Sequence, residues 1–425
     1  MSDNHHPLSP VDASWLRMDE PSNPMVISAL LTLKSPLSIE QLRKIAERHW
    51  MQFERFGMHL QKTGRKWAWE IDQNFCVTNH VNTFPLKQSS ERADLEAFCS
   101  QQMEASFAPE HPAWALDLVP DYKGGSAVLI RMQHCLADGI TMIGVLFSIT
   151  RPKRWDPTTE KQRPAVSAAS PPIRSPRGTF GSVLKLATVS KDGKTDLKGP
   201  LNGRKFAAWT DALPLTELKA LGKKQGATLN DTVVNLFAGS LQRHLSPSSK
   251  QRSTPARKMI RAVVPVDLRE KGDAQFMGNK FGLVFVDLPL DINDPGERLK
   301  VIQERMTALK NSSQAWAILR LMDVVGRLPH WVHNRLVSLL SSKASVIMTN
   351  VRGPAEPMYM ADSEVNRVQV WVPQAGRLGL GLSIFSYQDS VYIGVAGDRA
   401  RVPDPQPILD GIQAEFQALR SALES

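Results

Sequence analysis

Ser126-Ala127-Val128-Leu129-Ile130-Arg131-Met132-Gln133-His134-Cys135-Leu136-Ala137-Asp138-Gly139 is the stretch on which the reading of the fold turns. Its first nine residues alternate as a strand does. Val128, Ile130, Met132 and His134 share one face, and Ala127, Leu129, Arg131 and Gln133 the other. Asp138-Gly139 then opens an apolar helix, with the aspartate where an N-cap belongs. A strand end holds its last side chain in a fixed direction. A neutral imidazole, with an unperturbed pKa of about 6.5, takes up a proton near neutrality. Asp138 at this spacing caps the helix or pairs with a basic group, and Gly139 leaves room where a substrate or a neighbouring backbone approaches. Cys135, turned away from His134 by strand geometry, reads as a small buried residue. On this local pattern alone, a structural histidine remains commoner than a catalytic one.

Outward from this stretch, 425 residues suit two domains, and 42% hydrophobic with 22% charged residues is a globular composition. Residues 151–204 are rich in Pro, Ser, Ala and Lys/Arg and read as a basic crossover linker. They separate an N-terminal lobe, 1–150, from a C-terminal lobe, 205–425. In the first lobe Ile39, Leu42, Ile45, Ala46 and His49 fall at helical spacing behind Ser38, with Gln41 completing a capping box. In the second, Asn230 to Leu245 reads as a helix. Ile260–Val266, Leu283–Leu288, Gly379–Ser386 and Val391–Val395 read as strands. Helices and strands in both halves predict an α/β architecture with mixed sheets, in the α+β sense.

The net charge of +10 is concentrated. Arg151 to Lys205 holds 13 Lys/Arg against 4 Asp/Glu, a local +9, so the rest of the chain is near +1. That distribution argues against a nucleic-acid-binding fold with a basic face in its core. Three widely spaced cysteines, Cys76, Cys99 and Cys135, form neither a disulfide framework nor a CxxC pair and favour a reducing cytoplasm. The polar first residues predict no secretory signal, and no apolar run approaches a membrane span.

Other chemistries lack their motifs. No G-x-S-x-G elbow and no H-E-x-x-H helix occurs, Thr188 stands where a P-loop needs glycine, and no metal site is expected.

H-x-x-x-D-G at a strand-to-helix junction in a two-lobed chain resembles the condensation-domain and chloramphenicol-acetyltransferase-like superfamily. Within it, the chain resembles the bacterial wax ester synthase/diacylglycerol acyltransferases. The resemblance is carried by ordered blocks along nearly the whole chain: Pro7-Leu8-Ser9-Pro10-Val11-Asp12, Asn23-Pro24-Met25, and Gly226-Ala227-Thr228-Leu229-Asn230-Asp231. Pro265-Val266-Asp267-Leu268-Arg269, Gly278-Asn279, Asn350-Val351-Arg352-Gly353-Pro354, Ser386-Tyr387 and Ala396-Gly397-Asp398-Arg399 follow. It implies two chloramphenicol-acetyltransferase-like lobes with an active-site channel between them. It also implies acyl-CoA-dependent O-acyl transfer to a diacylglycerol or a long-chain alcohol, with acyl-CoA as substrate and no cofactor.

What the resemblance implies for residues is equally specific. His134 is the general base, Asp138 is structural, and Asn230 positions substrate or polarises the oxyanion. Gln133, Gly139, Asn279, Asn350 and Arg352 are placed at the substrate. From sequence, Asn230 reads as well as the N-cap of a helix beginning at Asp231. Two positions depart from the family pattern. Gln133 stands where the family has a first histidine, and on the strand reading it faces away from His134. Arg352 stands where the family has proline, adding positive charge to a loop near the channel.

In the linker, Phe180, Val183, Leu184 and Ala187 at helical spacing, among Arg174, Arg177, Lys185, Lys191 and Lys194, fit either an interfacial helix on anionic lipid or a helix packed on its own lobe. The same charge could attract CoA phosphates. Ala315 to Leu340, broken at Pro329, fits core packing, an acyl-chain wall or a membrane-facing helix pair. A cytoplasmic protein touching the inner membrane or lipid droplets and inclusions is the expectation. The competing readings are a superfamily acyltransferase using a carrier thioester and an inactive lipid-binding relative. No carrier segment occurs, and joint retention of His134, Asp138, Gly139 and Asn230 weighs against inactivity.

Overall fold

The computed structural model describes residues 5–64, 66–86, 91–152, 166–171, 173, 192–245, 259–310 and 312–424. The linker positions Phe180, Val183, Leu184 and Ala187 lie outside them. The motif strand, Gly125–Gln133, is central to a six-stranded sheet. It pairs antiparallel with Val26–Leu33 on one side and Trp114–Tyr122 on the other. Val81–Thr83 follows Trp114–Tyr122, while Ser363–Trp371 and Tyr359–Met360 extend the other edge beyond Val26–Leu33.

All nine residues of the motif strand are buried, because both faces of the sheet are covered. The alternation sorts them as their pattern requires. Val128, Ile130 and Met132 enter the large core, which side chains of both lobes build. Ala127 and Leu129 enter a smaller core shared with Leu30, Trp209 and Trp371. A one-residue slip would exchange the two sets, so burial on both sides fixes the register that delivers His134. The strand ends one residue earlier than its sequence pattern, at Gln133. The His134 N–H still continues the ladder by donating to Met25 O at 2.8 Å.

The second sheet runs Phe281–Pro289, Met259–Asp267, Val346–Arg352, Leu380–Tyr387, Ser390–Asp398, Lys205–Trp209, with Leu213–Pro214 also on Ser390–Asp398. Each strand read from sequence in this lobe is present; three extend by one to three residues at both ends, and the one read as Gly379–Ser386 is shifted by one residue, to Leu380–Tyr387. Helices Leu229–Leu245, Pro295–Lys310 and Gln406–Glu424 bury their apolar sides with this sheet in the second core. At their centre Arg298 donates to Asn235 Oδ1 at 2.9 Å and pairs with Glu415, so no charge is buried alone. In the first lobe, helix Ile39–Trp50 starts at the expected capping box of Ser38 and Gln41. It ends at Trp50, one residue past His49, the last of the periodic positions.

Helix Pro10–Met18, capped by Ser9 (Asp12 N–H to Ser9 Oγ, 3.1 Å), lies against helix Gln314–Val325. Gly326, which follows that helix, permits the contact: a Cβ there would stand 1.8 Å from Pro10 O. His330–Ser341 follows as a second helix after the break at Pro329. Lys205 donates to Asn23 Oδ1 at 2.8 Å, tying the Asn23-Pro24-Met25 block to the first strand of the second lobe.

Two strands of the first lobe's sheet thus come from residues 359–371. Residues 1–200 expressed alone would leave the wholly buried, largely apolar strand Val26–Leu33 as an open edge, a template for aggregation. The fragment is expected in the void volume on size-exclusion chromatography and to become soluble when co-expressed with residues 201–425. A soluble, monomeric fragment on its own would contradict this role of the late strands.

Candidate active site at the junction of the lobes

His134 leaves the motif strand into the space between the lobes, 6% exposed. Trp15 stacks on its ring, with centroids 4.0 Å apart and planes 7° from parallel, and Phe281 of the second lobe stands at 5.7 Å. Burial drives the imidazole pKa down from 6.5 to about 4; its own carbonyl, Asp138, Asn279 and Asp12 pull weakly the other way. The ring is therefore neutral across the physiological range. Its Nδ1 and the Oδ1 of Asn279 are buried and have no hydrogen-bond partner among the described residues. Orientation therefore comes from the stack and the backbone rather than from a paired acid.

The loop after His134 is held by two arginines. Arg55, with no exposed surface, uses all five of its N–H donors. Nε donates to Ala168 O (2.7 Å), Nη1 to the carbonyls of Cys135 (3.1 Å) and Leu136 (2.7 Å), and Nη2 to Asp12 Oδ2 (3.1 Å) and Ser170 Oγ (2.9 Å). Burial lowers its pKa, and Asp12 opposes the shift. Arg269 comes from the second lobe: Nε meets Asp138 Oδ2 at 2.8 Å, and Nη2 meets Gly278 O at 2.6 Å.

Asp138 is the N-cap of helix Gly139–Ser148. Its Oδ1 accepts the Thr141 N–H (2.9 Å), and its Oδ2 accepts from Arg269 and from the Lys280 N–H (3.0 Å). Both oxygens are committed to the frame. Asn279 is buried and shares that work: its Nδ2 donates to Asp12 Oδ1 (2.7 Å) and to His134 O (2.9 Å). Gly278, at φ +90°, places a strand-like bridge to Ala137, and a Cβ there would stand 2.5 Å from Ser170 Oγ. Only glycine fits such a conformation and contact. Gln133 lies within the strand end, and its Oε1 accepts the Cys135 N–H at 3.0 Å. Burial pushes the Cys135 thiol up, so it stays protonated.

Gly139 is not explained by a crowding neighbour, since a Cβ there would meet nothing within 4 Å. Asn230 is not an N-cap: the helix begins at Leu229, and Thr228 and Asp231 cap it reciprocally (Thr228 N–H to Asp231 Oδ2 2.8 Å, Asp231 N–H to Thr228 Oγ1 3.3 Å). Threonine wins because its hydroxyl sits one residue before the first helical position. Asn230 instead accepts from Asn350 Nδ2 at 3.0 Å, so those two expected site residues meet each other. Arg352 ends the strand Val346–Arg352 with an exposed side chain.

Beside Trp15 runs a narrow apolar cleft of about 60 Å³. Trp15 and Met18 line it from the first lobe, and Val263, Leu283, Phe285 and Met322 from the second. Sequence reasoning missed Trp15, Arg55, Ser170 and Phe281. Asp12 and Arg269 stood inside quoted blocks without a role, while Arg55 carried no local signal. Among the described residues no group of three His, Cys, Asp or Glu is placed to hold a metal ion.

The two-lobed mixed α/β fold is that of the condensation-domain and chloramphenicol-acetyltransferase-like proteins. Comparison with known proteins places the chain among them. Residues 8–191 match the model of the wax ester synthase/diacylglycerol acyltransferase catalytic domain, and residues 277–420 match that of the WS/DGAT C-terminal domain. The chain belongs to the wax ester synthase/diacylglycerol acyltransferase family, a family of acyltransferases. It is 24% identical to a putative diacylglycerol O-acyltransferase of Mycobacterium tuberculosis, over 98% of this chain and 90% of that one. A probable diacylglycerol O-acyltransferase of the same species is 23% identical, over 96% and 94%. Among solved structures, the fold is similar to a wax ester synthase/diacylglycerol acyltransferase from Marinobacter aquaeolei VT8, with TM-score 0.72 and 20% identity, covering 99% of this chain and 100% of that one. It is also similar to the first condensation domain of the calcium-dependent antibiotic synthetase, with TM-score 0.67, 13% identity and coverage of 99% and 96%.

Arg55→Met leaves the Asp12 carboxylate buried without its countercharge and three carbonyls without donors. Urea unfolding is expected to show a loss of about 3–5 kcal/mol. Arg55→Lys is expected to recover little, because one ammonium cannot reach all five acceptors. Near-wild-type stability of Arg55→Met would show that the frame does not depend on this side chain.

Proposed function

We propose that the protein transfers an acyl group from acyl-CoA to the hydroxyl of a diacylglycerol or long-chain alcohol, giving neutral lipid, with His134 as general base. The observation that carries the reading is a neutral, buried imidazole stacked on Trp15, whose indole also forms a wall of the apolar cleft. An acyl chain in that cleft would bring its thioester carbonyl to the histidine. The hydroxyl oxygen attacks the carbonyl carbon as His134 takes the hydroxyl proton. The tetrahedral intermediate then expels the CoA sulfur, and the imidazolium returns the proton to the thiolate.

General base catalysis of this kind supplies about 10²–10⁴-fold, so positioning and oxyanion stabilisation supply the rest. Asp138 holds the loop in shape. Asn230 is retained from the family resemblance as a positioning group on the acceptor or donor. Gln133, Gly139, Asn279, Asn350 and Arg352 remain the proposed lining of the substrate path, and no cofactor is invoked beyond acyl-CoA as substrate. No described helix is long and apolar enough to cross a membrane. We place the protein at the cytoplasmic surface of the inner membrane or of lipid inclusions.

Purified His134→Ala is expected to abolish CoA release from palmitoyl-CoA and a long-chain alcohol, while Gln133→Ala retains much of it. Equal losses would remove the distinction between the two side chains. A panel of acceptors with one acyl-CoA, resolved by thin-layer chromatography, assigns the alcohol.

The base must be neutral to act, so activity is lost as pH falls through the folded-state pKa. With that value lowered to about 4 from 6.5, the acidic limb of kcat/KM is expected well below pH 6. A limb at the free-imidazole value would mean that His134 is solvated or is not the base.

A further inference from the structure

The helix pair that walls the cleft has an outer side with a different character. His330–Ser341 turns His333 and Val337 inward, and Val337, Leu340 and Ser341 line the cleft. On the opposite side Trp331, Arg335, Ser338 and Leu339 are exposed, at i, i+4, i+7 and i+8. Trp331 is 75% exposed, Leu339 48%, and Val324, from the preceding helix Gln314–Val325, 53%. These are three of the five large hydrophobics exposed among the described residues, which makes this the place where apolar surface is concentrated.

The charges beside them have one sign in excess. Residues 314–342 hold three arginines, Arg320, Arg327 and Arg335, against the single acid Asp323, a net +2, and Arg327 with Asp323 forms an i,i+4 pair on the surface. An indole, a leucine and a valine set among arginines match the layer of a bilayer where aromatic rings, glycerol and phosphate meet.

We infer that the outer face of His330–Ser341, with Val324 and Arg327, docks on an anionic phospholipid surface and sets the cleft behind it against that surface. The geometry gives the docking a use. The same helix that would lie on the lipid forms the cleft wall through Val337 and Leu340, so a lipid-borne acceptor or product crosses little water between bilayer and cleft. The helix is also fixed to the catalytic side: His333 Nε2 lies 2.8 Å from Ser14 Oγ, and Ser14 precedes Trp15, the stacking partner of His134. Arg17 Nη1 donates to Leu328 O at 2.8 Å, holding the turn between the two helices. The value of docking to the enzyme rests on the proposed lipid substrates; the docking itself is read without turnover.

The test is flotation of the full-length protein with vesicles of pure phosphatidylcholine and of equal parts phosphatidylcholine and phosphatidylglycerol. Wild type is expected to float with the anionic vesicles and not with the neutral ones. Trp331→Asp and Leu339→Asp lie on the solvent face and leave the cleft lining intact. Each is expected to lower vesicle affinity by about ten-fold or more, the worth of one buried apolar side chain. Arg335→Glu is expected to weaken the preference for anionic lipid. Turnover of a short acyl-CoA with a water-soluble alcohol should be unchanged in all three, and KM for a vesicle-borne acceptor should rise. Undiminished flotation of the two aspartate variants would overturn the inference, as would loss of flotation only on neutralising the basic linker. Conversion of a dimer to a monomer by Trp331→Asp, with vesicle binding intact, would assign the face to a second copy instead. Failure of the soluble assay in wild type would count against the proposed reaction and leave the flotation result standing.

Discussion

The Asp12 carboxylate has no exposed surface, and four segments of the chain meet on it. Its Oδ2 takes Arg55 and Ser170, and its Oδ1 takes both the backbone and the side-chain N–H groups of Asn279. A buried carboxylate left unpaired costs several kcal/mol, so each of these partners is required by the others. The helix that carries Asp12 also carries Ser14 and Trp15. The position of Trp15 over His134 is therefore set by an ion pair on a neighbouring turn. Asn279 carries the constraint onward to the carbonyl of His134, and Arg55 to the carbonyls of Cys135 and Leu136. The loop geometry follows from satisfying these charges.

That arrangement accounts for the character of the histidine. A base oriented by a carboxylate gains basicity from the charge. Here both oxygens of Asp138 are occupied by a helix N-terminus, an arginine and a backbone N–H. The ring is positioned by a flat aromatic stack and by the continued strand ladder, and the dry surroundings keep it neutral. Neutral is the form that the proposed role of general base needs. The cost is weak intrinsic basicity, which leaves more of the barrier to be met by alignment of the reacting groups.

The lobes are not independent bodies that touch at a surface. Residues 359–371 complete the first lobe's sheet, Trp209 enters the small core behind the motif strand, and Arg269 grips Asp138. Residues 166–170, inside the basic stretch, contribute too: Val166 bridges to Phe53, Ser167 to Phe276, and Ser170 bonds Asp12. The site is assembled only when the whole chain has folded, and the cleft beside it takes one wall from each lobe.

The sequence by itself determined the elements whose causes are local. Alternation defined the motif strand, the Ser38 and Asp138 caps marked two helix starts, and the apolar periods marked the strands of the second lobe, because each signal lies within a few residues of its effect. Ordered blocks along the chain carried the family and with it His134. Tertiary structure alone decided which side chains surround that histidine. Arg55 sits in a short turn with no motif, and Trp15 precedes His134 by more than a hundred residues. The pairing of Asn230 with Asn350 is equally invisible to local spacing. Burial and charge pairing act through space between segments far apart in sequence. Their outcome is written only in the folded chain.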